Sequence, residues 1–176
     1  DPPATVLATI EAEFGKPASD LFAHFEEEPL ASASIAQVHA AQLRTGEAVV
    51  VKVQHSGIED KIMADLDILG GLAELLEKHS SRLRPYQPEA VVRQFRRTLL
   101  RELDFTSERR NLEQFASNFA GDDGVHFPLA YAPLSTRRVL TMEKLNGISA
   151  TRADALADSG VDLDEFARRG ATMYLH

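Results

Sequence analysis

Lys52 is the residue whose type and setting point most directly to chemistry. It lies in the apolar run AVVVKV at 48–53, and a strand that is apolar on both faces has no ordinary place for an ammonium group. An unpaired buried charge costs several kcal/mol or gives up its proton. Lys52 therefore needs an anionic partner.

Small residues precede this lysine and indicate the kind of partner. The segment ASASIAQVH at 31–39 is joined to the lysine run by the turn Arg44-Thr45-Gly46-Glu47, whose glycine favours a tight hairpin. The backbone of a small-residue loop can approach a ligand closely, and such loops bind phosphate. We therefore expect a phosphate group as well as a carboxylate beside Lys52.

Composition removes several classes of function. The 176 residues carry a net charge of −8, which disfavours nucleic acid as a partner. Cysteine is absent, so the chain has no thiolate nucleophile, disulfide or cysteine-ligated metal centre. No run approaches the roughly 18 apolar residues of a membrane-spanning helix. The six histidines lack paired metal-ligand spacing, and we predict no metal site built by this chain.

Apolar spacing predicts a small sheet with several helices. The apolar stripe of the helix at 58–79 is expected to be core or to pack against an extension; it consists of Ile58, Ile62, Leu66, Leu69, Leu72 and Leu76. Predicted helices lie at 4–14, from Ser19 to Phe25, at 58–79, 88–119 and 151–158, and from Asp162 onward; predicted strands lie at 35–43, 48–54, 125–131 and 137–145.

The helical segment at 88–119 contains an irregularity. Its two halves carry apolar residues on faces about half a turn apart at roughly 100° per residue, so one straight helix cannot present both to a single core. We predict a break near Leu103 to Thr106, or a helix between two layers. The acidic group Glu102-Leu103-Asp104 lies at this crossover. The two faces are Val92, Phe95, Leu99 and Leu103, and Leu112, Phe115 and Phe119.

The order of these elements is that of a protein-kinase-like N-terminal lobe. In that architecture a strand lysine contacts the α- and β-phosphates of ATP, and a helix glutamate orients the lysine. Our candidate for the glutamate is Glu108. Together with Asp104 and Asn111 it forms a polar stripe at i, i+4 and i+7, which can aim carboxylates into a cleft.

The detailed residues resemble the UbiB family of atypical kinase-like proteins, also called aarF-domain kinases, over nearly the whole chain. The segment at 31–39 is similar to the family's alanine-rich loop, and VVVKVQ at 49–54 to its lysine-bearing strand. Glu102-Leu103-Asp104 matches the family's E-x-D signature. VLTME at 139–143 resembles the strand that enters the adenine-binding hinge.

This resemblance implies a set of site residues. Catalytic roles would fall to Lys52, Glu108, Glu102 and Asp104. Met142 would be the gatekeeper, and backbone groups of Glu143 and Leu145 would contact adenine. The phosphate-side loop would comprise Ala31, Ser32, Ala33, Ser34, Ile35, Ala36, Gln37 and Val38.

The resemblance also implies a fold and its boundaries. We expect an α+β kinase-like N-lobe with a small antiparallel sheet, followed by the first helices of a C-lobe. The boundaries would be 1–30 for an N-terminal helical extension, 31–146 for the nucleotide-binding N-lobe and 147–176 for the start of the C-lobe.

The K-x-G-Q helix would precede Asp1, while the catalytic loop and the magnesium-binding aspartate would follow His176. The chain by itself is therefore expected to be inactive. Alanine at position 36, where many members have glycine, reduces the backbone freedom of the loop.

Functional expectations follow from the same resemblance. The parent protein would bind ATP and Mg²⁺, act as an atypical kinase or ATPase, and support ubiquinone (coenzyme Q) biosynthesis. It would be cytoplasmic or peripheral to the inner membrane, with lipid, quinone-pathway proteins or the membrane surface as further partners. A non-catalytic pseudokinase scaffold is the main alternative. A small-molecule kinase of the aminoglycoside type is a weaker one, because that type lacks the alanine-rich loop.

Overall fold

An antiparallel sheet organises the domain in the computed structural model, which describes residues 1–175. The strand order is β1-β3-β4-β5, and the short β2 pairs with β3 beside β1. The sheet is thus the small antiparallel one that the sequence predicts. Its strands are β1 (Phe22–Phe25), β2 (Ala31–Ser32), β3 (Ala36–Leu43), β4 (Ala48–Gln54) and β5 (Val139–Glu143).

Helices precede, interrupt and follow this sheet. Two of them, α3 and α4, form an antiparallel pair inserted between β4 and α5. The helices are α1 (Pro3–Phe14), α2 (Ala18–Leu21), α3 (Ile58–His79), α4 (Pro88–Glu102), α5 (Phe105–Asn118), α6 (Ala153–Asp158) and α7 (Leu163–Leu175). Within residues 1–175, no helix is long and apolar enough to cross a bilayer.

Strand β4 has two faces with different packing, because successive side chains alternate across a strand. Val49, Val51 and Val53 are each at most 1% exposed and pack against α1 through Val6 and Ile10. This is the larger of the two cores. On the other face, Phe105 of α5 packs against Ala36 and Leu140, with Ile35, Leu112 and Met142 around them. Lys52 belongs to this second face.

The predicted break in the long helical segment is confirmed. Helix α4 ends at Glu102 and α5 begins at Phe105; α4 contacts α3, whereas α5 contacts β5. Asp104 begins the second helix as its N-cap: its carboxylate accepts hydrogen bonds from the backbone N–H of Thr106 at 3.0 Å and from its hydroxyl at 2.6 Å.

Two local predictions are wrong. The second helix ends at Leu21, and Phe22–Phe25 forms β1, paired with β3, because Phe22 gains a place in the core. The segment 125–131 forms no strand. It contributes a single bridge between Ala130 and Met142, so the hairpin expected there is mostly irregular backbone.

The leucine stripe of α3 is not core in the described structure. Only Leu66 and Ala73 of this helix are buried. Of the other stripe residues, Leu69, Leu72 and Leu76 are 41%, 52% and 45% exposed. Packing of the stripe against an extension stays a prediction.

Candidate functional site

Lys52 projects from the middle strand toward α5. Its cross-strand neighbours are Val38 on β3 and Leu140 on β5, so apolar side chains flank it on both sides. The Lys52 side chain is 22% exposed, and its Nζ donates to Glu108 Oε2 at 2.6 Å. The Phe105 ring lies beneath the ammonium group, with its centroid 4.6 Å from Nζ, which adds a cation–π contact. The lysine and glutamate that sequence reasoning selected are therefore brought together, 56 positions apart in the chain.

The break between α4 and α5 places more charge around this pair. A cavity of about 570 Å³ opens there, and carboxylates form much of its wall. Glu102 and Asp104 line it together with the Lys52–Glu108 pair, so all four expected catalytic side chains border one space. The lining residues are Lys52, Arg101, Glu102, Asp104, Ser107, Glu108 and Asn111. Such a mixed wall can bind a polar ligand that carries phosphate or a phosphate-bound cation.

The alanine-rich segment is a tight hairpin rather than an open loop. Ala31 and Ser32 pair with Val38 and Gln37, and the Ala33 N–H donates to the carbonyl of Ala36 at 2.8 Å. Only 33–35 lie outside strands. Residues 31–34 are exposed, whereas Ala36 and Gln37 are buried in the sheet.

His55 fastens this hairpin to the end of β4. Its backbone N–H donates to Ile35 O at 2.9 Å, and its ring Nε2 lies 3.0 Å from Ala33 O. The hairpin tip is therefore held close to the strand that carries Lys52. Sequence reasoning did not select His55, although a polar residue directly after the lysine strand is a usable signal.

The expected hinge residues lie at the end of β5. Met142 is half-buried on the same sheet face as Lys52, opposite Val50, while Leu145 is 49% exposed. The backbone N–H of Glu143 already donates to Leu129 O at 2.8 Å, so this atom is not free for adenine. Any adenine contact at Glu143 must use another backbone group.

The Glu143 side chain ties the end of β5 to the segment that contains His126 and Leu129. The Leu129 N–H donates to Glu143 Oε2 at 3.2 Å, and His126 Nε2 lies 2.8 Å from the same oxygen. These contacts lower the pKa of the Glu143 carboxyl, with the backbone hydrogen bond as the larger cause and His126 as the second. Burial raises the pKa of the nearby Tyr131, and the charges of Glu47 and Glu143 add to that effect.

Two contributors escaped sequence reasoning altogether. Phe105 forms the aromatic floor under Lys52, and Gln54 joins the lysine strand to the helix break. Gln54 carries a signal that could have been used: it is a polar residue in an apolar strand, two positions after Lys52 and hence on the same face. Phe105 carried no comparable signal, because its position under the lysine depends on how α5 packs against the sheet.

A protein-family comparison decides how this arrangement is classified. The family model described as an ABC1 atypical kinase-like domain matches residues 2–176. The chain belongs to this family. Within it, the domain is 43% identical over 168 residues to a probable protein kinase UbiB of Pseudomonas fluorescens and 40% identical over 173 residues to one of Pseudomonas paraeruginosa. These alignments cover 96% and 98% of the chain but 32% of each relative, so the ABC1 domain described here spans about a third of their length.

A solved structure supports the fold of this ABC1 domain. The Rv3197–erythromycin complex from Mycobacterium tuberculosis superposes with a TM-score of 0.74 at 27% identity. The match covers 84% of the chain and 37% of that protein. The expected kinase-like N-lobe with the first C-lobe helices is thereby confirmed, while the two domain boundaries, after residues 30 and 146, stay predictions.

Proposed function

We propose that this domain binds ATP with Lys52 at the phosphates and Glu108 holding the lysine in place. The single observation that carries the proposal is the Lys52–Glu108 contact of 2.6 Å at the wall of a polar cavity. A strand lysine paired with a helix glutamate is the arrangement that positions nucleotide phosphates in kinases. A purely structural ion pair would not need the adjoining cavity.

The sheet face beside Lys52 offers a surface for the base. Val38, Val50 and Met142 project on the Lys52 side of three neighbouring strands, by the register of β3, β4 and β5, and each is half-buried. A flat apolar surface next to a cation suits a nucleotide, whose planar base and charged phosphates require both. The tip of the hairpin, residues 33–35 outside the strands, would cover the phosphates.

Magnesium would accompany the nucleotide. Among residues 1–175, no group of three or more histidine, cysteine or acidic side chains is arranged to hold a metal ion. We therefore propose that the ligands of Mg²⁺ come from parts of the parent protein outside this sequence. The chemistry that the ion supplies is neutralisation of phosphate charge, and Lys52 contributes to the same task from this side.

The parent protein is proposed to act as an atypical kinase or ATPase in the service of ubiquinone biosynthesis. The name of the UbiB relatives supports this role. A pseudokinase scaffold that binds nucleotide without phosphoryl transfer is the alternative. An H-x-D-x-x-x-x-N stretch after residue 176 would favour catalysis, and its absence would favour the scaffold.

Calorimetry with ATP and Mg²⁺ tests the nucleotide site. Lys52→Ala should weaken ATP affinity about tenfold or more, because a hydrogen bond to a charged group contributes roughly 1.5–3 kcal/mol. Lys78→Ala, which removes an exposed lysine of α3, is the matched control and should bind like the wild type. Equal, weak heat in wild type and Lys52→Ala would overturn the proposal.

Erythromycin, present in the mycobacterial neighbour's complex, should be titrated in parallel as a competing ligand class.

A further inference from the structure

Gln54 is a buried polar residue on the lysine strand. It is 2% exposed and lies two positions after Lys52, so both side chains leave β4 on the same face. Its Nε2 donates to the backbone carbonyl of Leu103 at 2.9 Å, and this hydrogen bond is buried. A buried amide is expected to have partners, and the identity of this one connects two elements that the site depends on.

The acceptor lies where a helix has been interrupted. The last carbonyls of a helix lack intrahelical donors, and Leu103 directly follows α4. In a continuous helix the Ser107 N–H would serve Leu103 O, but here it donates to Asp104 O at 3.0 Å. Leu103 is 1% exposed, so water is a poor substitute. Gln54 supplies the donor that the interruption removes.

This hydrogen bond helps to fix the position of the junction at which α5 begins. Asp104, next to the acceptor, caps the helix, and Glu108 follows one turn later. A second bond, from the Phe105 N–H to Arg137 O at 3.0 Å, fixes the same junction to the segment before β5. The direction in which α5 leaves the junction therefore decides whether Glu108 reaches Lys52.

We propose that Gln54 is a positioning residue: its side-chain amide holds the α4–α5 junction against β4 and so keeps Glu108 in contact with Lys52. The link to nucleotide affinity rests on the proposed function, whereas the link to the ion pair does not. Gln54 itself lies outside the set of residues that line the cavity and acts through Glu108.

The test observes Lys52 directly in the 176-residue chain. The chain has five lysines, so nuclear magnetic resonance of ¹⁵N-labelled side-chain ammonium groups can resolve Lys52, assigned by Lys52→Arg. Gln54→Met, which keeps the length and removes the amide, should move the Lys52 signal toward its position in Glu108→Gln. Gln54→Asn, whose amide is one methylene short, should move it in the same direction and provides a second variant if Gln54→Met does not fold.

A stability control separates positioning from general loosening. Val49→Ala removes buried side-chain volume from the opposite face of β4 and should leave the Lys52 signal in place. ATP affinity should fall about 2–10-fold in Gln54→Met, the range set by one net hydrogen bond, and stay within about twofold in Val49→Ala. In a Glu108→Gln background, Gln54→Met should have no further effect on the Lys52 signal.

The outcomes are distinct. An unchanged Lys52 signal in folded Gln54→Met and Gln54→Asn, or an equal change in Val49→Ala, overturns the positioning role. A shifted Lys52 signal without ATP binding by the wild type leaves the positioning role standing and overturns the proposed nucleotide site instead.

Discussion

The ammonium group of Lys52 and the carboxylate of Glu108 meet at 2.6 Å across 56 residues of sequence. Lys52 lies on β4 in the sheet, and Glu108 lies in the first turn of α5, directly after the break between α4 and α5. The pair is partly accessible, with side chains 22% and 40% exposed. It is therefore enclosed enough to be oriented and open enough to meet a ligand.

Coupling between these two residues should be measurable in stability. In a double-mutant cycle of Lys52→Met and Glu108→Gln, we expect an interaction energy of about 1 kcal/mol, because exposure to solvent limits the strength of a salt bridge. Urea denaturation at low and high salt provides the measurement, and the coupling should shrink as salt rises. The pair Arg93 and Glu89, exposed on α4, serves as a reference that should show less coupling. Strictly additive effects of the two site variants would contradict the contact.

Asp104 should be important to the stability of α5 as well as to the cavity. Asp104→Ala removes the N-cap and should lower the free energy of unfolding by about 1 kcal/mol, with a range of roughly 0.5–2 kcal/mol. Asp104→Asn should retain most of the stability, because an asparagine side chain also caps well. Thermal unfolding of the two variants is the measurement, and equal losses would show that charge rather than capping matters here.

Ala36→Gly should act on the core rather than on the loop. Ala36 is 1% exposed, opens strand β3 and packs with Phe105 and Leu140. Glycine in a strand costs about 0.5–1 kcal/mol relative to alanine, and a buried methyl contributes about 0.8 kcal/mol more. The variant should therefore lose about 1–2 kcal/mol of unfolding free energy in urea. A change in the ADP-to-ATP affinity ratio without a loss of stability would restore the loop interpretation.

His39 should make stability fall on mild acidification. It is 1% exposed and stacks on Phe25; Nδ1 lies 2.9 Å from Glu26 O, and Nε2 has no hydrogen-bond partner within the described chain. Burial lowers the pKa of the His39 imidazole below its ordinary value. The unfolded state therefore binds the His39 proton at a higher pH than the folded state. The full stability is present above the pKa of His39 in the unfolded state. Stability falls as the pH drops from there toward the pKa of His39 in the folded state.

A non-titrating variant isolates this effect. His39→Asn preserves a donor toward Glu26 O and removes the titration. Urea unfolding at pH 7.5 and 5.5 should show a larger loss of stability for the wild type than for His39→Asn. Parallel losses in both proteins would assign the pH dependence to other groups.

Sequence patterns anticipated the parts of the site that depend on local rules. The lysine strand, the long helix at 58–79 and the break near Leu103 follow from a short continuous apolar run, from helical spacing and from the change of apolar face. The pairing of Lys52 with Glu108 was anticipated through kinase-like order, and the two side chains are in contact.

The remaining errors come from contacts between distant parts of the chain. Leu21, Phe22 and Phe25 fit a helical spacing, yet Phe22–Phe25 is a strand because β3 is available beside it. The role of Gln54 depends on the position of Leu103, 49 residues away, which no local pattern specifies. Likewise, the apolar stripe of α3 satisfies the helical pattern for burial, but Leu69, Leu72 and Leu76 remain exposed within the described residues.

The place of β1 in the sheet bears on how the domain can be shortened. A version that begins at residue 31 would match the predicted lobe boundary but would lose β1 and the helix α1 that covers the larger core. Much of β3 would then become an open edge with unpaired backbone, and such edges invite self-association. Removing the first 30 residues is therefore expected to promote aggregation, although it would match the predicted boundary.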